Sequence, residues 1–335
     1  MGWQQAYVQE GERMFGVAIF EITNECNLNC KYCYENDRKK FRTLISSADF
    51  SCFLAHHEGL CREVILSGGE PFLHPSWTEF VAILRKAGMK VNFITNGTGI
   101  DKIIEAHIKV DTLLISVDSF SQTKNLLRSK RIIYTKEDIL RLKKSGLVKD
   151  IYLQIILNRL SACKENLEDL MEFCGNNQIG LKVKLMDSYG FNDTAQYMLK
   201  PSEVSQVEEY LCRQIKIRKM DMDISIPSIY GNEFTDCFLI RKYGNLRIRS
   251  DGKIFPCEKM NDEKYQIGVL NDSSDQILAN FKKVQNRLFV RIIKLARGTC
   301  VGCIHNAICG KGCPVLHEME EYGNICKKRG SIWKV

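Results

Sequence analysis

The sequence predicts an α/β fold, in which a partial barrel of parallel strands precedes a smaller cysteine-rich region. Over the first two hundred residues, six short β-rich runs alternate with longer helical patterns. Motifs rich in glycine and polar residues directly follow several of these runs, and seven cysteines lie behind residue 222, where the alternation has stopped. Six βα units in series favour a partial (β/α)6 barrel of the TIM type over an open sheet.

The predicted strands are short runs rich in β-branched and aromatic residues. They are residues 16–23, 63–68, 90–96, 112–118, 151–158 and 180–186. Helical patterns cover residues 47–60, 76–88, 135–146 and 201–217. Ser76 is a predicted N-cap and Gly88 a predicted stop signal. Beyond the sixth unit, the Asp251-Gly252 pair predicts a hairpin over residues 245–257.

Composition narrows the class of protein. The chain has 335 residues, of which 44% are hydrophobic, so it can bury a core without disulfides. It shows no secretory signal, and no run approaches the roughly 18 apolar residues of a membrane span, which predicts a cytoplasmic protein without a membrane partner. Fifteen cysteines in that compartment predict metal or redox chemistry. The net charge of +8 is scattered, and without aromatic platforms in a basic groove it does not favour nucleic acid.

A cysteine cluster follows the first predicted strand. Cys26, Cys30 and Cys33 have C-x3-C-x2-C spacing, and a compact loop can direct three thiolates at one iron–sulfur cluster while leaving one iron open. Zinc would also accept these ligands. An aromatic residue precedes the third cysteine, and strands two, three and four end in the motifs SGGEP (67–71), TNG (95–97) and SVDS (116–119).

In this order and at these strand ends, the motifs resemble those of the radical SAM enzymes over residues 16–186. The resemblance implies that Cys26, Cys30 and Cys33 hold a [4Fe-4S] cluster whose free iron is chelated by S-adenosylmethionine (SAM). It further implies a set of SAM contacts. They are Tyr32 beside the adenine, the backbone of Gly68, Gly69, Glu70 and Pro71 at the methionine amino group, Asn96 and Ser116 on other parts of SAM, and Arg128, or Arg131 instead, at the carboxylate.

The same resemblance implies homolytic chemistry. An electron enters the cluster, a sulfonium C–S bond breaks, and a 5′-deoxyadenosyl radical abstracts hydrogen from a substrate C–H bond. The cofactor carries the difficult step, while the protein orients the reactants and excludes water. A flavodoxin-type or ferredoxin-type electron donor is then expected.

The later cysteines resemble a SPASM extension over residues 223–330, although a C-x2-C pair alone would equally predict zinc. The resemblance implies two auxiliary [4Fe-4S] clusters, hence three clusters in all. One would be held by Cys300, Cys303, Cys309 and Cys326, and the other by Cys237, Cys257 and Cys313. Two cubanes need eight ligands and this pattern supplies seven, so the second cluster has an open iron or takes Asp236 or Cys212. The predicted domains are residues 1–222 and 223–335.

Two further side chains are candidates for catalysis. Cys212 lies near the predicted domain junction and could donate a hydrogen atom to a substrate radical, although a packed helix cysteine has the same pattern. Asp187 follows the sixth strand and could accept a proton at the barrel mouth or cap a loop.

Auxiliary clusters behind a radical SAM core are typical of enzymes that modify ribosomally made peptides by crosslinking, oxidation or epimerisation, and this is the predicted function. A dehydrogenase or epimerase of an aminosugar or cyclitol is the alternative, and a non-catalytic iron–sulfur electron carrier is the alternative of another class. Only 25 residues precede Cys26, which is fewer than a leader-recognition domain needs. A separate leader-recognition protein, or direct binding of a short peptide or small molecule, is therefore expected.

Overall fold

The described part of the chain forms one ten-stranded sheet with helices on its outer side. The computed structural model describes residues 15–33, 41–129, 133–186, 196–225, 244–257, 260 and 262–297. The strands are β1 (Phe15–Thr23), β2 (Cys61–Gly68), β3 (Asn92–Thr95), β4 (Val110–Ser116), β5 (Val148–Leu157), β6 (Gly180–Leu185), β7 (Met222–Ser225), β8 (Gly244–Ile248), β9 (Lys253–Phe255) and β10 (Gly268–Val269). Their spatial order is β10-β9-β8-β1-β2-β3-β4-β5-β6-β7.

The predicted parallel sheet is confirmed, since β1 to β7 run parallel in chain order. All six predicted strands are present, with ends shifted by a few residues. The predicted hairpin is also present, because β8 and β9 pair antiparallel around Gly252, whose φ is 81°. Two pairings lay beyond the prediction: β7 adds a seventh parallel strand, and β8 pairs parallel with β1. A four-residue strand such as β7 carries too short a pattern to be seen in sequence.

In the part of the chain that the structure describes, six helices lie between the parallel strands, and a seventh follows β10. They are α1 (Ser47–His56), α2 (Trp77–Lys86), α3 (Ile100–Glu105), α4 (Lys136–Lys144), α5 (Lys164–Asn176), α6 (Pro201–Arg218) and, after β10, α7 (Ser274–Arg297). Ser76 occupies the N-cap position of α2, as predicted, but its side chain makes no capping hydrogen bond. Gly88 follows the C-cap of α2 with a φ of 67°, which suits a stop signal. Within the described residues, no helix has the length and apolar character needed to cross a membrane.

The core lies between the helices and the outer face of the sheet. Phe20 of β1 packs edge-to-face on Phe50 and Phe53 of α1, at ring-centroid distances of 4.8 and 5.2 Å. Such aromatic pairs contribute about 0.5–1.5 kcal/mol each beyond their buried area. Along the central strands the outward side chains, including Leu113 and Leu153, have no exposed surface. The outer face of the sheet is therefore covered by the helices, and the opposite, inner face is available for a functional site.

The sheet is curved. Glu63 on β2 and Lys182 on β6 are four strands apart, which is about 19 Å in a flat sheet. Burial raises the pKa of Glu63 and lowers that of Lys182, and the charge of each side chain opposes the shift of the other. Both side chains lie on the inner side of the sheet, within electrostatic reach of each other. The fold is thus a curved parallel sheet whose strands β1 to β4 all end at one edge.

Candidate cofactor site at the carboxyl edge of the sheet

The cysteine loop, residues 24–33, follows the end of β1. Its three cysteines are half-buried and form no disulfide bond. The Leu28 amide donates to Cys26 Sγ at 3.4 Å, and the Lys31 amide donates to the Leu127 carbonyl at 2.7 Å. Burial raises the pKa of the Cys30 thiol to about 11, so this thiol is protonated until a metal displaces its proton. The loop is therefore held on one side by β1 and on the other by the segment that follows β4.

The glycine pair at the end of β2 lies directly against this loop. Gly68 has a φ of +135°, and a Cβ atom there would be 2.1 Å from the Thr23 carbonyl oxygen. A Cβ atom on Gly69 would be 2.3 Å from the Glu25 carbonyl oxygen. The Gly69 amide instead donates to the Thr23 carbonyl at 2.8 Å. Only glycine allows this approach of two backbones, so the pair fixes the start of the cysteine loop.

Glu70 joins the end of β2 to the end of β3. Its carboxylate is fully buried and accepts hydrogen bonds from Thr95 Oγ1 at 2.7 Å, the Asn96 amide at 2.7 Å and the Phe72 amide at 3.3 Å. Burial raises the pKa of Glu70 to about 7, against the effect of these donors. The Glu70 carboxylate thus already accepts hydrogen bonds from other residues of the chain. Any contact of this segment with SAM would therefore be made by the backbone of residues 68–71.

Asn96 connects β3 to the cysteine loop. Its Nδ2 lies 3.5 Å from Cys26 Sγ and 3.0 Å from Asn27 Oδ1. Its Oδ1 accepts from the Thr98 amide at 2.9 Å. An amide hydrogen directed at a thiolate stabilises negative charge on the sulfur. The residue that the sequence placed near SAM therefore also contacts one predicted cluster ligand.

The half-buried Tyr32 joins the buried Asp118 and Arg128 in a cluster beside the loop. The Tyr32 hydroxyl donates to Asp118 Oδ2 at 2.5 Å, and Arg128 Nη2 lies 3.3 Å from Asp118 Oδ1. The guanidinium carbon is 5.7 Å from the centre of the Tyr32 ring. Asp118 is fully buried and Arg128 is 6% exposed. Burial raises the pKa of Tyr32 well above its usual value, so the phenol remains a hydrogen-bond donor.

Asp118 is the residue in this cluster that sequence reasoning did not select. The Ile156 amide of β5 approaches its Oδ1 at 3.4 Å, and Asn166 Nδ2 of α5 donates to its carbonyl at 2.9 Å. Its position inside the SVDS motif, directly after a buried strand, could have identified Asp118 as a site residue from the sequence. A shallow cleft next to Arg128 is lined by Val117, Phe120, Asn125 and Tyr134, among others. The Arg128 Nε atom is buried and has no hydrogen-bond partner in the described part of the chain.

Ser116 ends β4 and is 9% exposed. Its carbonyl accepts a hydrogen bond from the Tyr134 hydroxyl at 2.6 Å. Its side chain lies on the inner face of the sheet, opposite the outward Ile115. The carboxyl edge thus brings together the cysteine loop, the glycine pair, Asn96, Ser116 and the Tyr32–Asp118–Arg128 cluster.

The three thiols of the cysteine loop fit an iron–sulfur cluster better than a single metal ion. Among the described residues, no three His, Cys, Asp or Glu side chains are arranged around one metal ion. A four-iron cluster instead takes each thiolate on a separate iron. Three thiols on one short loop, with amide hydrogens near Cys26 Sγ, are the kind of donors that such a cluster takes.

The other predicted residues are less informative here. Cys212 is exposed on α6, and Cys257 is half-buried directly behind β9. The remaining candidates lie outside the described residues; they are Arg131, Asp187, Asp236, Cys237, Cys300, Cys303, Cys309, Cys313 and Cys326.

Comparison with known proteins gives a family match and similar relatives. Residues 20–175 match the family model of the Radical SAM superfamily. A probable GTP 3′,8-cyclase of Methanothermobacter thermautotrophicus is 26% identical over 296 residues, which cover 82% of this chain and 92% of the relative. The sporulation killing factor maturation protein SkfB of Bacillus subtilis is 28% identical over 267 residues, which cover 77% of this chain and 63% of SkfB.

Two solved structures share the fold. Streptococcus suis SuiB bound to S-adenosylmethionine superposes with a TM-score of 0.69 at 17% identity, over 90% of this chain and 74% of SuiB. The enzyme anSMEcpe with bound AdoMet gives a TM-score of 0.64 at 16% identity, over 94% of this chain and 97% of that chain. Residues 20–175 thus match the Radical SAM superfamily model, and the two solved structures share the fold of this part of the chain.

Proposed function

We propose that this protein binds a [4Fe-4S] cluster and SAM at the carboxyl edge and abstracts a hydrogen atom from a ribosomally made peptide. The observation that carries the proposal is the convergence of the cysteine loop with the glycine pair, Asn96 and the Tyr32–Asp118–Arg128 cluster. A structural role alone would not require three cysteine thiols at the same edge as a buried arginine.

In this proposal Cys26, Cys30 and Cys33 hold the cluster. The backbone of residues 68–71 binds the amino group of SAM and Arg128 binds its carboxylate, while Tyr32, Asn96 and Ser116 line the rest of the molecule. When bound, the reduced cluster and SAM supply a 5′-deoxyadenosyl radical for hydrogen abstraction. An electron donor of the flavodoxin or ferredoxin type provides the electron.

The chain's own residues position these groups. Glu70 ties the ends of β2 and β3 together, so the glycine pair and Asn96 keep a fixed distance. Asp118 holds the Arg128 guanidinium and the Tyr32 ring in one arrangement. Fixed donors in a site shielded from water act more strongly than in solvent and keep water away from a reactive radical.

We further propose that residues 223–335 form a SPASM domain behind a first domain of residues 1–222. Cys300, Cys303, Cys309 and Cys326 would hold one auxiliary cluster, and Cys237, Cys257 and Cys313 the other. The pairing of β8 with β1 supports this, because it sets the hairpin that precedes Cys257 beside the strand that precedes Cys26. An auxiliary cluster there could accept the second electron when a substrate radical is oxidised.

A peptide is the favoured substrate because SkfB, a maturation protein, is similar over 77% of this chain. Crosslinking, oxidation or epimerisation of the peptide would all begin with the same hydrogen abstraction. A separate leader-recognition protein is a proposed partner, and the cytoplasm is the proposed compartment.

A small-molecule substrate is the second candidate. A GTP 3′,8-cyclase of Helicobacter pylori is 24% identical over 314 residues, which cover 85% of this chain. A nucleotide would need a different polar lining from a peptide, so the two candidates predict different binding preferences. Aminosugar and cyclitol substrates belong to the same small-molecule alternative.

The deciding experiment is SAM cleavage by anaerobically reconstituted full-length protein with dithionite. We expect 5′-deoxyadenosine from the wild type and none from Cys30→Ala, with Cys52→Ala, an exposed cysteine on α1, as the matched control. Wild-type protein that binds SAM but forms no 5′-deoxyadenosine would instead indicate an electron carrier. Iron analysis should give about twelve irons per chain, and about four would contradict the two auxiliary clusters.

A further inference from the structure

A row of polar residues crosses the inner face of the sheet from β4 to β6. Ser116 pairs in register with Gln154, and Gln154 pairs with Lys182. One residue earlier in each strand, Ile115, Leu153 and Leu181 form a row without exposed surface that packs in the core beneath the helices. Because successive side chains of a strand point to opposite faces, the polar row lies on the inner face.

The inner face is less tightly covered than the outer one. Ile94, Leu114 and Ile156 point inward and are half-buried, whereas their outward neighbours are fully buried. The interior of a closed (β/α)8 barrel is normally filled with layers of branched side chains. Here the inner wall is apolar and partly accessible, as expected for a chamber that receives a ligand.

Gln154 is a polar residue on this largely apolar wall. It is only 8% exposed, and its side-chain amide has no hydrogen-bond partner among the described residues. The Ser116 hydroxyl beside it also lacks one within the same part of the chain. Neither group is among the fully buried polar atoms without a partner in the described part of the chain, so both keep accessible surface at which water or a ligand can form a hydrogen bond. The row therefore offers donors and an acceptor to a molecule in the chamber.

The row begins at the cofactor site. Thr95 pairs with Ile115, so the next residues, Asn96 and Ser116, stand at the same level on neighbouring strands. Asn96 Nδ2 is 3.5 Å from Cys26 Sγ. Gln154 is two strands further along, or about 10 Å. A group bound by Gln154 would therefore lie within a few ångströms of a molecule held at Asn96 and Ser116.

The charges around the row favour a neutral ligand group. Lys182 Nζ lies 3.5 Å from Asp223 Oδ2, and the carboxylate of Glu63 also acts on it across the chamber. Lys184, the next inward residue of β6, adds a second positive charge, so the two carboxylates offset the charges of two lysines. A carboxamide pairs naturally with a peptide bond, because each has one carbonyl acceptor and one N–H donor. A phosphate has only acceptors and would leave Gln154 Oε1 without a donor.

We propose that Gln154 anchors the substrate by hydrogen bonding to a peptide bond on the inner wall of the sheet. The inference rests on the proposed function and makes it more specific, because it assigns the peptide to a wall of the chamber. Gln154 acts as a binding residue, with Ser116 beside it.

The test compares Gln154→Leu with Gln276→Leu, the same substitution at an exposed site on α7. Each reconstituted full-length protein is loaded with SAM and mixed with a synthetic pool of N-acetylated, C-amidated random hexapeptides, or separately with GTP. Ligand retained on ultrafiltration is quantified by mass spectrometry. We expect wild type and Gln276→Leu to retain peptides alike, and Gln154→Leu to retain about tenfold less, the effect of one or two lost hydrogen bonds.

Several outcomes would overturn this proposal. They are equal peptide retention by both variants, no retention by the wild type, GTP retention that depends on Gln154, or a weakened SAM dissociation constant in Gln154→Leu, which would make Gln154 a cofactor contact. Formation of 5′-deoxyadenosine is measured in parallel with dithionite. Its absence from the wild type defeats the proposed function, whereas normal SAM cleavage with Gln154-independent peptide retention defeats this inference alone.

Discussion

The Tyr32 hydroxyl donates a hydrogen bond to Asp118, which links the cysteine loop to the end of β4 across 86 residues of sequence. The same carboxylate lies 3.3 Å from Arg128, so one buried acid holds a loop residue and a cation together. This link lies at the centre of the candidate site, because Tyr32 directly precedes Cys33. A substitution at Tyr32 should therefore affect the Asp118–Arg128 pair, and a substitution at Asp118 should affect the cysteine loop.

Asp118→Asn should lower the free energy of unfolding by roughly 3–5 kcal/mol, because it leaves the buried Arg128 guanidinium without its counter-charge. Tyr32→Phe should cost about 1–3 kcal/mol by leaving a carboxylate oxygen without a donor. Urea unfolding of both single variants and the double variant measures their coupling, which we expect to be at least about 0.5 kcal/mol. Tyr210→Phe, at the half-buried Tyr210–Glu168 contact, is the control and should change the stability less. Strictly additive effects would mean that the charge of Asp118 does not strengthen the hydrogen bond from Tyr32.

Glu70 should make stability depend on pH. Its pKa is raised by burial from 4.5 to about 7, so the folded state binds an extra proton between these values. The sign follows from this: the stabilisation is fully present below pH 4.5 and is lost as the pH rises through 7. The corresponding change is up to roughly 3 kcal/mol. Glu70→Gln should flatten the curve of unfolding free energy against pH between 5 and 8, and a slope identical to that of the wild type would contradict the assignment.

Gly69→Ala should prevent the close approach of β2 to the cysteine loop, since the new Cβ would be 2.3 Å from the Glu25 carbonyl oxygen. We expect a loss of more than about 2 kcal/mol of stability and reduced iron incorporation. Gly88→Ala is the control, because a Cβ there has nothing within 4 Å and only its positive φ is strained, at about 1 kcal/mol. Equal iron content in the two variants would show that the glycine pair does not support the loop.

The division of the later cysteines can be tested by electron paramagnetic resonance of the reduced protein. Cys257→Ala and Cys313→Ala should remove the same auxiliary signal, while Cys303→Ala should remove a different one. The signal of the cluster at Cys26, Cys30 and Cys33 should persist in all three variants. Loss of one common signal in Cys303→Ala and Cys313→Ala would show that the proposed ligand sets are wrong.

Much of the fold could be predicted from local patterns. The six parallel strands and the hairpin at Asp251-Gly252 were visible because alternating or apolar runs are bounded by turn residues. The parallel pairing of β8 with β1 was not visible, because it joins segments more than two hundred residues apart. The short strand β7 was missed for lack of a sufficient pattern.

The site divides in the same way. Residue type and order were enough to predict the chemistry, because they contain the three thiols at C-x3-C-x2-C spacing and the motifs at strand ends. Only the tertiary structure decided which side chains meet. It assigned Glu70 to Thr95 and Asn96, joined Asp118 to Tyr32 and Arg128, and turned Gln154 to the inner wall. The physical reason is that burial and strand register, which set these contacts, depend on pairing between segments distant in sequence.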